Sequence, residues 1–453
     1  MAAPHDAPSR PLCIDLDGTL LRSDLLLEST LALLASRPWL ILALPFWLLG
    51  GKARLKREIA SRVTLDPAHL PYDERVLALL REQPGRRRVL CTASDDTLAR
   101  PVAAHLGCFD EVVASDGQRN LSGHGKAEAL VARFGERGFD YAGNARVDLA
   151  VWARAHGALV VNAGDGLARA AAQRCEVLGH LPSTGGGLKP WLRALRLHQW
   201  LKNLLVFIPL LASHRFLDGP SVLASVAGFL AFGLCASGVY VLNDLLDLPS
   251  DRQHRIKRLR PLAAGAVTIQ QAVVLGAVMI VAAFGLALWV GWPFTAVLAL
   301  YTALTLAYSM RWKRIALFDV LLLAALYTLR IGAGAVAASV DPSNWLLAIS
   351  VFLFLSLALV KRCAELEEAM DDRRSLAPGR GYQPRDLPSL RSMGMSSGFM
   401  AVLVLALYID SPNSRALYAQ PDVLWAASPV LLLWIMRIWL KTGRRELYGE
   451  DPL

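Results

Sequence analysis

Charge is scarce in this chain. Only 19% of its 453 residues are Asp, Glu, Lys or Arg, against 54% apolar residues. That balance excludes an ordinary soluble enzyme of this length, whose surface needs more polar cover. Cysteine is sparse too. Cys13, Cys91, Cys108, Cys175, Cys235 and Cys363 stand apart, and no pair has metal or redox spacing. A disulfide framework and a thiolate metal site are therefore excluded, leaving buried, reduced thiols. The opening run MAAPHDAPSR is short and polar, so it does not read as a signal peptide and the first domain is expected in the cytoplasm. A transporter would show internal repeats and midplane breaks; no convincing repeat is evident, and the charges cluster at one face.

What charge there is lies unevenly. Residues 1–190 carry it throughout, whereas 200–440 are long apolar runs with short charged loops. Eight runs are long enough, or nearly so, to cross a bilayer: about 200–217, 221–246, 268–291, 293–310, 315–339, 344–361, 394–410 and 422–440. Basic residues follow every second run: Arg252, Arg255, Lys257, Arg258 and Arg260; Arg311, Lys313 and Arg314; Lys361 and Arg362; Lys441, Arg444 and Arg445. The other connections hold only Arg215 and Arg415. Even-numbered exits are thus expected in the cytoplasm, with the N-terminal domain on the same side. The net charge of +10 then suits anionic headgroups and phosphorylated substrates, with no nucleic acid partner expected. A further apolar run, 38–51, is short for a span and is flanked by Arg37, Lys52, Arg54, Lys56 and Arg57. It reads as an interfacial or re-entrant helix resting the first domain on the bilayer.

Residues 11–23, PLCIDLDGTLLRS, place Asp15 and Asp17 at the end of a short apolar run, with Gly18 supplying a sharp turn. Two carboxylates at the carboxyl edge of a sheet sit where open α/β folds do their chemistry. One can attack phosphorus, the other can protonate the leaving oxygen, and both can help hold a cation. This pattern resembles the first motif of the haloacid dehalogenase (HAD) phosphatase superfamily. RVLCTAS at 88–94 resembles the second, ending in Thr92, whose hydroxyl would bind a phosphoryl oxygen. Lys126 matches the third, a lysine that offsets charge at the nucleophile. FDYAGNARVDLAVW at 139–152 resembles the fourth, which supplies acidic metal ligands; here Asn144 stands at the first position and Asp148 at the second. The resemblance implies an α/β Rossmannoid domain over 1–180, with a helical cap over about 24–86 and a metal held by Asp15, Asp17, Asn144 and Asp148.

LPSTGGGLKP at 181–190 reads as a flexible linker. Beyond it, 191–453 is expected to be one membrane domain. Its informative stretch is YVLNDLLDLPSDRQHRIKRLRPLAAG at 240–265. In one continuous helix Asp244, Asp247 and Asp251 would share a face. Three carboxylates at a membrane boundary repel one another, and a divalent cation that also bridges to a diphosphate would resolve this. Arg252, Lys257, Arg258 and Arg260 would clamp further phosphate oxygens. The pattern, with Asn243 before it, resembles the UbiA prenyltransferase superfamily, which is helical, intramembrane and Mg2+-dependent and normally has nine spans. LHQWLKN at 197–203 and AYSMRWKRIALFDV at 307–320 are similar to its decaprenyl-phosphate phosphoribosyltransferase-like branch.

The resemblance implies metal ligands Asn243, Asp244, Asp247 and Asp251, and donor contacts from Tyr308 and Lys313. Lys202 and Asn203 stand at a span mouth, where anchoring and phosphate binding are equally open. Asp319 and Arg330 are ionisable residues inside an apolar run and need partners beyond each other. Lys361 and Glu365 occupy the place of the family's second acidic motif and could simply pair.

The expected molecule is therefore two-part: an α/β HAD-like domain with a helical cap, then an all-α polytopic bundle of 8–9 transmembrane helices in the inner (cytoplasmic) membrane. The expected reaction is Mg2+-dependent transfer of a phosphoribosyl group from phosphoribosyl diphosphate to a polyprenyl phosphate. The fused phosphatase would remove the 5-phosphate. The alternative is transfer of a polyprenyl group from its diphosphate to an aromatic or other small acceptor.

Overall fold

The computed structural model describes residues 10–83, 85–183, 187–254, 256–371, 381–418 and 420–446. The N-terminal run 1–9, the centre of the expected linker (184–186), Arg255, and the C-terminal 447–453 lie outside these. The chain forms two compact units, 1–195 with 240–276, and 196–239 with 277–453.

The first unit is built on six strands: β1 (Leu12–Ile14), β2 (Arg88–Asp95), β3 (Glu111–Ser115), β4 (Asp140–Gly143), β5 (Gly157–Ala163) and β6 (Glu176–Pro182). All neighbours are parallel, in the order β3-β2-β1-β4-β5-β6. Central strands such as LCI and GALVVNA are buried on both faces, which is why they read as continuous apolar runs. The register pairs Ile14 with both Leu90 and Ala142. Asp15, Thr92 and Asn144 therefore emerge side by side at the carboxyl edge, where the strand order reverses about β1.

The insertion between β1 and β2 is helical, from Leu25–Ser36 to Glu74–Glu82. Asp24 and Asp73 cap those two helices through their side chains. The apolar run after Arg37 makes only two short helical pieces, Pro38–Leu42 and Leu44–Leu49, neither with a buried residue. The expected linker is mostly structured at its ends: β6 runs through Pro182 and the helix Leu188–Leu195 follows. Trp191 and Leu195 pack with Val241, Leu245 and Leu262 and with Leu27 and Leu31 of the cap. Segment 240–276 thus shares a core with the α/β domain.

Seven helices among the described residues are long and apolar enough to cross a membrane: Gly219–Leu246, Ile269–Val290, Trp292–Met310, Phe318–Ala337, Asn344–Glu368, Pro384–Ile409 and Asp422–Gly443. The chain is a multi-pass membrane protein. This count is slightly below the expected 8–9. The first expected span is a 3-10 helix, Leu197–Phe207, running into the short helix Ile208–Ala212. Pro209 opens the latter, and the combined piece is too short to count as a long span. Within the second unit this segment lies close on Phe318–Ala337. A Cβ at Gly334 would stand 2.0 Å from the Val206 carbonyl oxygen. Small residues permit such backbone contact between helices in a membrane. Phe232, Phe294 and Tyr301 fill the space beside it.

Candidate active sites

In the α/β domain the four expected motifs meet at the strand ends. Lys126, on the helix His124–Phe134, donates to Asp15 Oδ1 at 2.6 Å and to the Tyr141 hydroxyl at 2.8 Å. Tyr141 donates in turn to Asp148 Oδ1 at 3.1 Å. Asp148 Oδ2 accepts the backbone N–H groups of Asn144 and Ala145. Asp17 accepts from the Leu25 N–H at 2.8 Å, from Ser94 at 2.7 Å and from Thr92 at 3.3 Å. Asn144 accepts from Thr19 at 3.4 Å and lies over Gly18, where a Cβ would stand 2.0 Å from its nitrogen. Gly18 has φ +77, so both the turn and the close approach call for glycine.

Burial pushes the Asp15 carboxyl up to about 7; Lys126 opposes this, and Asp148 and Asp17 add to it. Burial alone would pull the Lys126 ammonium down, but Asp15 leads the charges that hold it above its ordinary value. Both shifts mark a buried site with more negative than positive charge. Asp15, Asn144 and Asp148 supply the hard oxygen donors that Mg2+ takes, and a cation would relieve that excess. The residues fit the ion, although no three His, Cys, Asp or Glu side chains gather as a ligand set among the described residues. Asn144 lowers the carboxylate count.

The acidic loop departs from its expected geometry. The helix Gly219–Leu246 stops before Asp247, which precedes the short helix Leu248–Gln253 with φ −86 and ψ 0. Pro249 opens that second helix and disfavours a straight continuation through Leu248. Helical backbone bonds nonetheless continue on either side, from the Asp247 N–H to Asn243 and from the Asp251 N–H to Asp247. Asp247 is exposed, while Asp244 and Asp251 are buried and converge on Arg260, whose Nη1 donates to them at 3.2 and 2.5 Å. Asp251 Oδ1 is buried without a hydrogen-bond partner among the described residues. A buried carboxylate oxygen left so is costly, and a cation or substrate donor is the natural complement. Asn243 is half-buried one residue before Asp244, and Lys257 and Arg258 are exposed on the turn Lys257–Leu259.

Arg252 differs from expectation. It donates through Nη2 to Glu28 Oε1 at 2.6 Å and through Nε to the Ala263 carbonyl at 3.2 Å. The side chains of the pair are 6% and 3% exposed, so Arg252 joins segment 240–276 to the cap helix rather than reaching for phosphate. Glu28, 224 residues away in sequence, carries no signal that sequence reading could have used.

The second unit has two polar clusters. Arg330 is buried, donating to Asn203 Oδ1 at 3.0 Å and to the Tyr301 hydroxyl at 2.8 Å, with its guanidinium over the Tyr301 and Tyr327 rings. Lys202 lies over Tyr327, and Asn203 Nδ2 is buried without a partner among the described residues. In the other, Arg362 donates to Asp319 Oδ2 at 2.6 Å, to the Tyr308 hydroxyl at 3.1 Å and to Glu365. Tyr382 donates to the second Asp319 oxygen. Asp319 and Arg330 thus each have other partners. Lys313 is half-buried on the turn Trp312–Arg314, and Lys361 is half-buried on Asn344–Asp371. Ser94, Tyr141, Tyr301, Arg362 and Tyr382 were not anticipated. Ser94 and Arg362 adjoin the expected Thr92 and Lys361, a local signal; the tyrosines enter only through tertiary packing.

Known proteins resemble both parts. The UbiA prenyltransferase family matches residues 204–447, and the haloacid dehalogenase-like hydrolase family matches 12–152. The chain is 40% identical over 450 residues to the uncharacterized protein y4nM of Sinorhizobium fredii, covering 98% of this chain and 86% of that one. It is 35% identical over 260 residues to the nodulation protein NoeC of Azorhizobium caulinodans, covering 57% of this chain and 83% of NoeC. It is 38% identical over 182 residues to the decaprenyl-phosphate phosphoribosyltransferase of Mycolicibacterium smegmatis, covering 39% of this chain and 57% of that enzyme. With more than half its length matched by one family of transferases, and a hydrolase-like domain ahead of it, this chain is an enzyme belonging to the UbiA prenyltransferase family.

Proposed function

We propose that the chain transfers a phosphoribosyl group from phosphoribosyl diphosphate to a polyprenyl phosphate, and that its HAD-like domain removes the 5-phosphate from the lipid-linked product. In the transfer, an oxygen of the lipid phosphate bonds to C1 of the ribose while the bond from C1 to the diphosphate breaks and diphosphate leaves. Asp244 and Asp251 would hold Mg2+, with Asn243 and Asp247 beside them in sequence; bound there, the ion supplies positive charge to the departing diphosphate. Arg260 shares its guanidinium between the two carboxylates and would pass it to diphosphate oxygens. Lys257 and Arg258 would gather the donor's charge. Lys202, Asn203 and Arg330, and separately Tyr308, Lys313, Lys361 and Glu365, are proposed substrate contacts.

In the α/β domain Asp15 would attack the 5-phosphate to form an aspartyl phosphate, with Asp17 giving its proton to the departing sugar oxygen. Water then cleaves the aspartyl phosphate. Asp15, Asp17, Asn144 and Asp148 are its proposed Mg2+ ligands, and Lys126 and Thr92 would hold the phosphoryl charge. The Lys/Arg-rich loops support an inner-membrane location with both sites on the cytoplasmic side.

The observation carrying this reading is the buried Asp251 oxygen, without a hydrogen-bond partner among the described residues, beside a guanidinium already shared with Asp244. The identity to a protein named decaprenyl-phosphate phosphoribosyltransferase supports the choice of donor. The test supplies purified full-length chain with Mg2+, polyprenyl phosphate and phosphoribosyl diphosphate labelled in the ribose. Label should enter the lipid phase. Label that stays in water, with transfer from a labelled polyprenyl diphosphate to an aromatic acceptor instead, would overturn it.

A further inference from the structure

The site of the HAD-like domain opens into a cavity of about 580 Å³. Asp15, Lys126 and Asn144 lie on its catalytic wall. The cap contributes a different chemistry. Lys52 and Lys56 stand one turn apart on the helix Lys52–Ala60, and both line the cavity. Lys56 is fixed there, its Nζ donating to the Ala93 carbonyl at 2.6 Å and to Asn120 Oδ1 at 2.8 Å. Lys126, by contrast, is committed to Asp15. The cavity therefore holds two lysines beyond the one serving the nucleophile, with Asp17, Asp24 and Arg22 also on its lining and Arg22 paired to Asp73. A second anionic group on the substrate would meet this pair.

Apart from Asp24, which caps the helix Leu25–Ser36, the rest of the cap wall is apolar. Leu26, Leu27 and Leu48 face the same cavity. Leu48 belongs to the short helical piece Leu44–Leu49, whose surroundings are unusually bare: Trp39 is 65% exposed, Leu42 73%, Phe46 71% and Leu49 86%. In water such a patch is a liability. Arg37, Arg54 and Arg57 flank it, the arrangement of a segment lying in an anionic headgroup layer. An apolar path thus runs from exposed side chains to the catalytic wall, with two lysines on the way.

Resting on the reading of this domain as a phosphatase, we infer that its cavity takes an amphipathic lipid bearing two anionic groups, a terminal phosphate monoester at Asp15 and a phosphodiester read by Lys52 and Lys56. The two lysines are specificity residues. They select the lipid-linked ester over a free sugar phosphate and leave bond cleavage to Asp15.

The test uses the full-length chain in nanodiscs and measures phosphate release from a polyprenyl-phosphoryl ribose 5-phosphate and from free ribose 5-phosphate. Wild type should favour the lipid ester in kcat/KM. The double variant Lys52→Ala/Lys56→Ala should lower that preference about ten-fold or more, mainly through KM, as expected for a lost charge-assisted contact. Lys52→Arg/Lys56→Arg should restore most of it. Equal use of both esters by wild type, or an unchanged preference in the double variant, would overturn the inference. If neither ester is cleaved, the phosphatase reading falls separately. Retention of the labelled lipid ester by Asp15→Asn chain, with and without the two alanines, then decides the binding site: weaker retention with the alanines supports it, and equal retention refutes it.

Discussion

At Asp15 the counter-charge is a lysine; at Asp244 and Asp251 it is an arginine, and the two cations are held differently. Lys126 is 4% exposed and anchored twice, by Asp15 and by Tyr141, on a helix of the sheet domain. Arg260 is 30% exposed, follows a short turn, and meets both aspartates through one nitrogen. A buried, doubly anchored ammonium is a fixed part of its site. A half-exposed guanidinium shared by two carboxylates can be exchanged for a cation, after which it is available to an incoming anion. Under the proposed function, the first arrangement suits an ester cleaved in place, and the second a charged donor that must bring or meet a cation.

The comparison breaks most sharply at the nucleophile. Asp15→Asn should abolish phosphate release, by about 10⁴-fold or more, since a covalent route cannot be partly replaced. Transfer of the phosphoribosyl group by the same variant should persist. Measuring both products from one preparation checks whether the two chemistries are separable. A parallel loss of transfer would mean that they are not.

The exchangeable cation is tested next. Asp251→Asn should slow transfer by about 10²- to 10³-fold, the scale of losing a positioned charge at a developing anion. Arg260→Lys keeps the charge but loses the guanidinium fork, and should cost about ten-fold, seen as a raised KM for the diphosphate donor. Lys126→Arg should be worse for phosphate release than Arg260→Lys is for transfer, because a buried, doubly bonded cation has no room to readjust.

Arg252 sharpens the contrast as an arginine whose bonds go to Glu28 and the Ala263 carbonyl. Its pair with Glu28 is buried, so Arg252→Met should destabilise the first unit by about 3–5 kcal/mol by stranding a carboxylate. Thermal unfolding of the purified chain would measure this, and the double variant Arg252→Met/Glu28→Leu should recover most of the loss. Direct use of Arg252 on substrate would instead leave stability intact and remove transfer.

Much of this was legible from local pattern. Asp15, Thr92 and Asn144 each follow an apolar run, and parallel pairing brings run ends together whatever their separation in the chain. The long apolar runs were legible too, and seven helices long and apolar enough to cross a membrane bear out the multi-pass reading. What escaped was of three kinds. Helical periodicity put Asp247 with Asp244 and Asp251 but could not say which of the three is buried; Asp244 and Asp251 are, and Asp247 is exposed. Pairings across the chain, Glu28 with Arg252, Asp319 with Arg362 and Tyr382, and Lys126 with Tyr141, depend on tertiary packing. An apolar count could not distinguish the 3-10 segment Leu197–Phe207 from a membrane span, because both are equally apolar.

The smallest expected effect concerns a carboxylate that serves neither site. Asp73 caps the helix Glu74–Glu82 and accepts from Arg22 and Arg75. Burial pushes its carboxyl up, but the hydrogen bonds from Arg75 and Arg22 outweigh that and hold it well below the usual carboxylate range. Its folded value lies below its unfolded one, so the unfolded chain takes up the proton first as acid is added. The stability it contributes is therefore complete above the ordinary carboxylate range and is lost as pH falls toward the depressed folded value. Asp73→Asn should be less stable than wild type at neutral pH, and the gap should narrow steadily as the solution is acidified below the ordinary range. Melting curves of the two proteins across that interval measure it. A gap that stays constant with pH would assign Asp73 a capping role alone, with no contribution from its arginines.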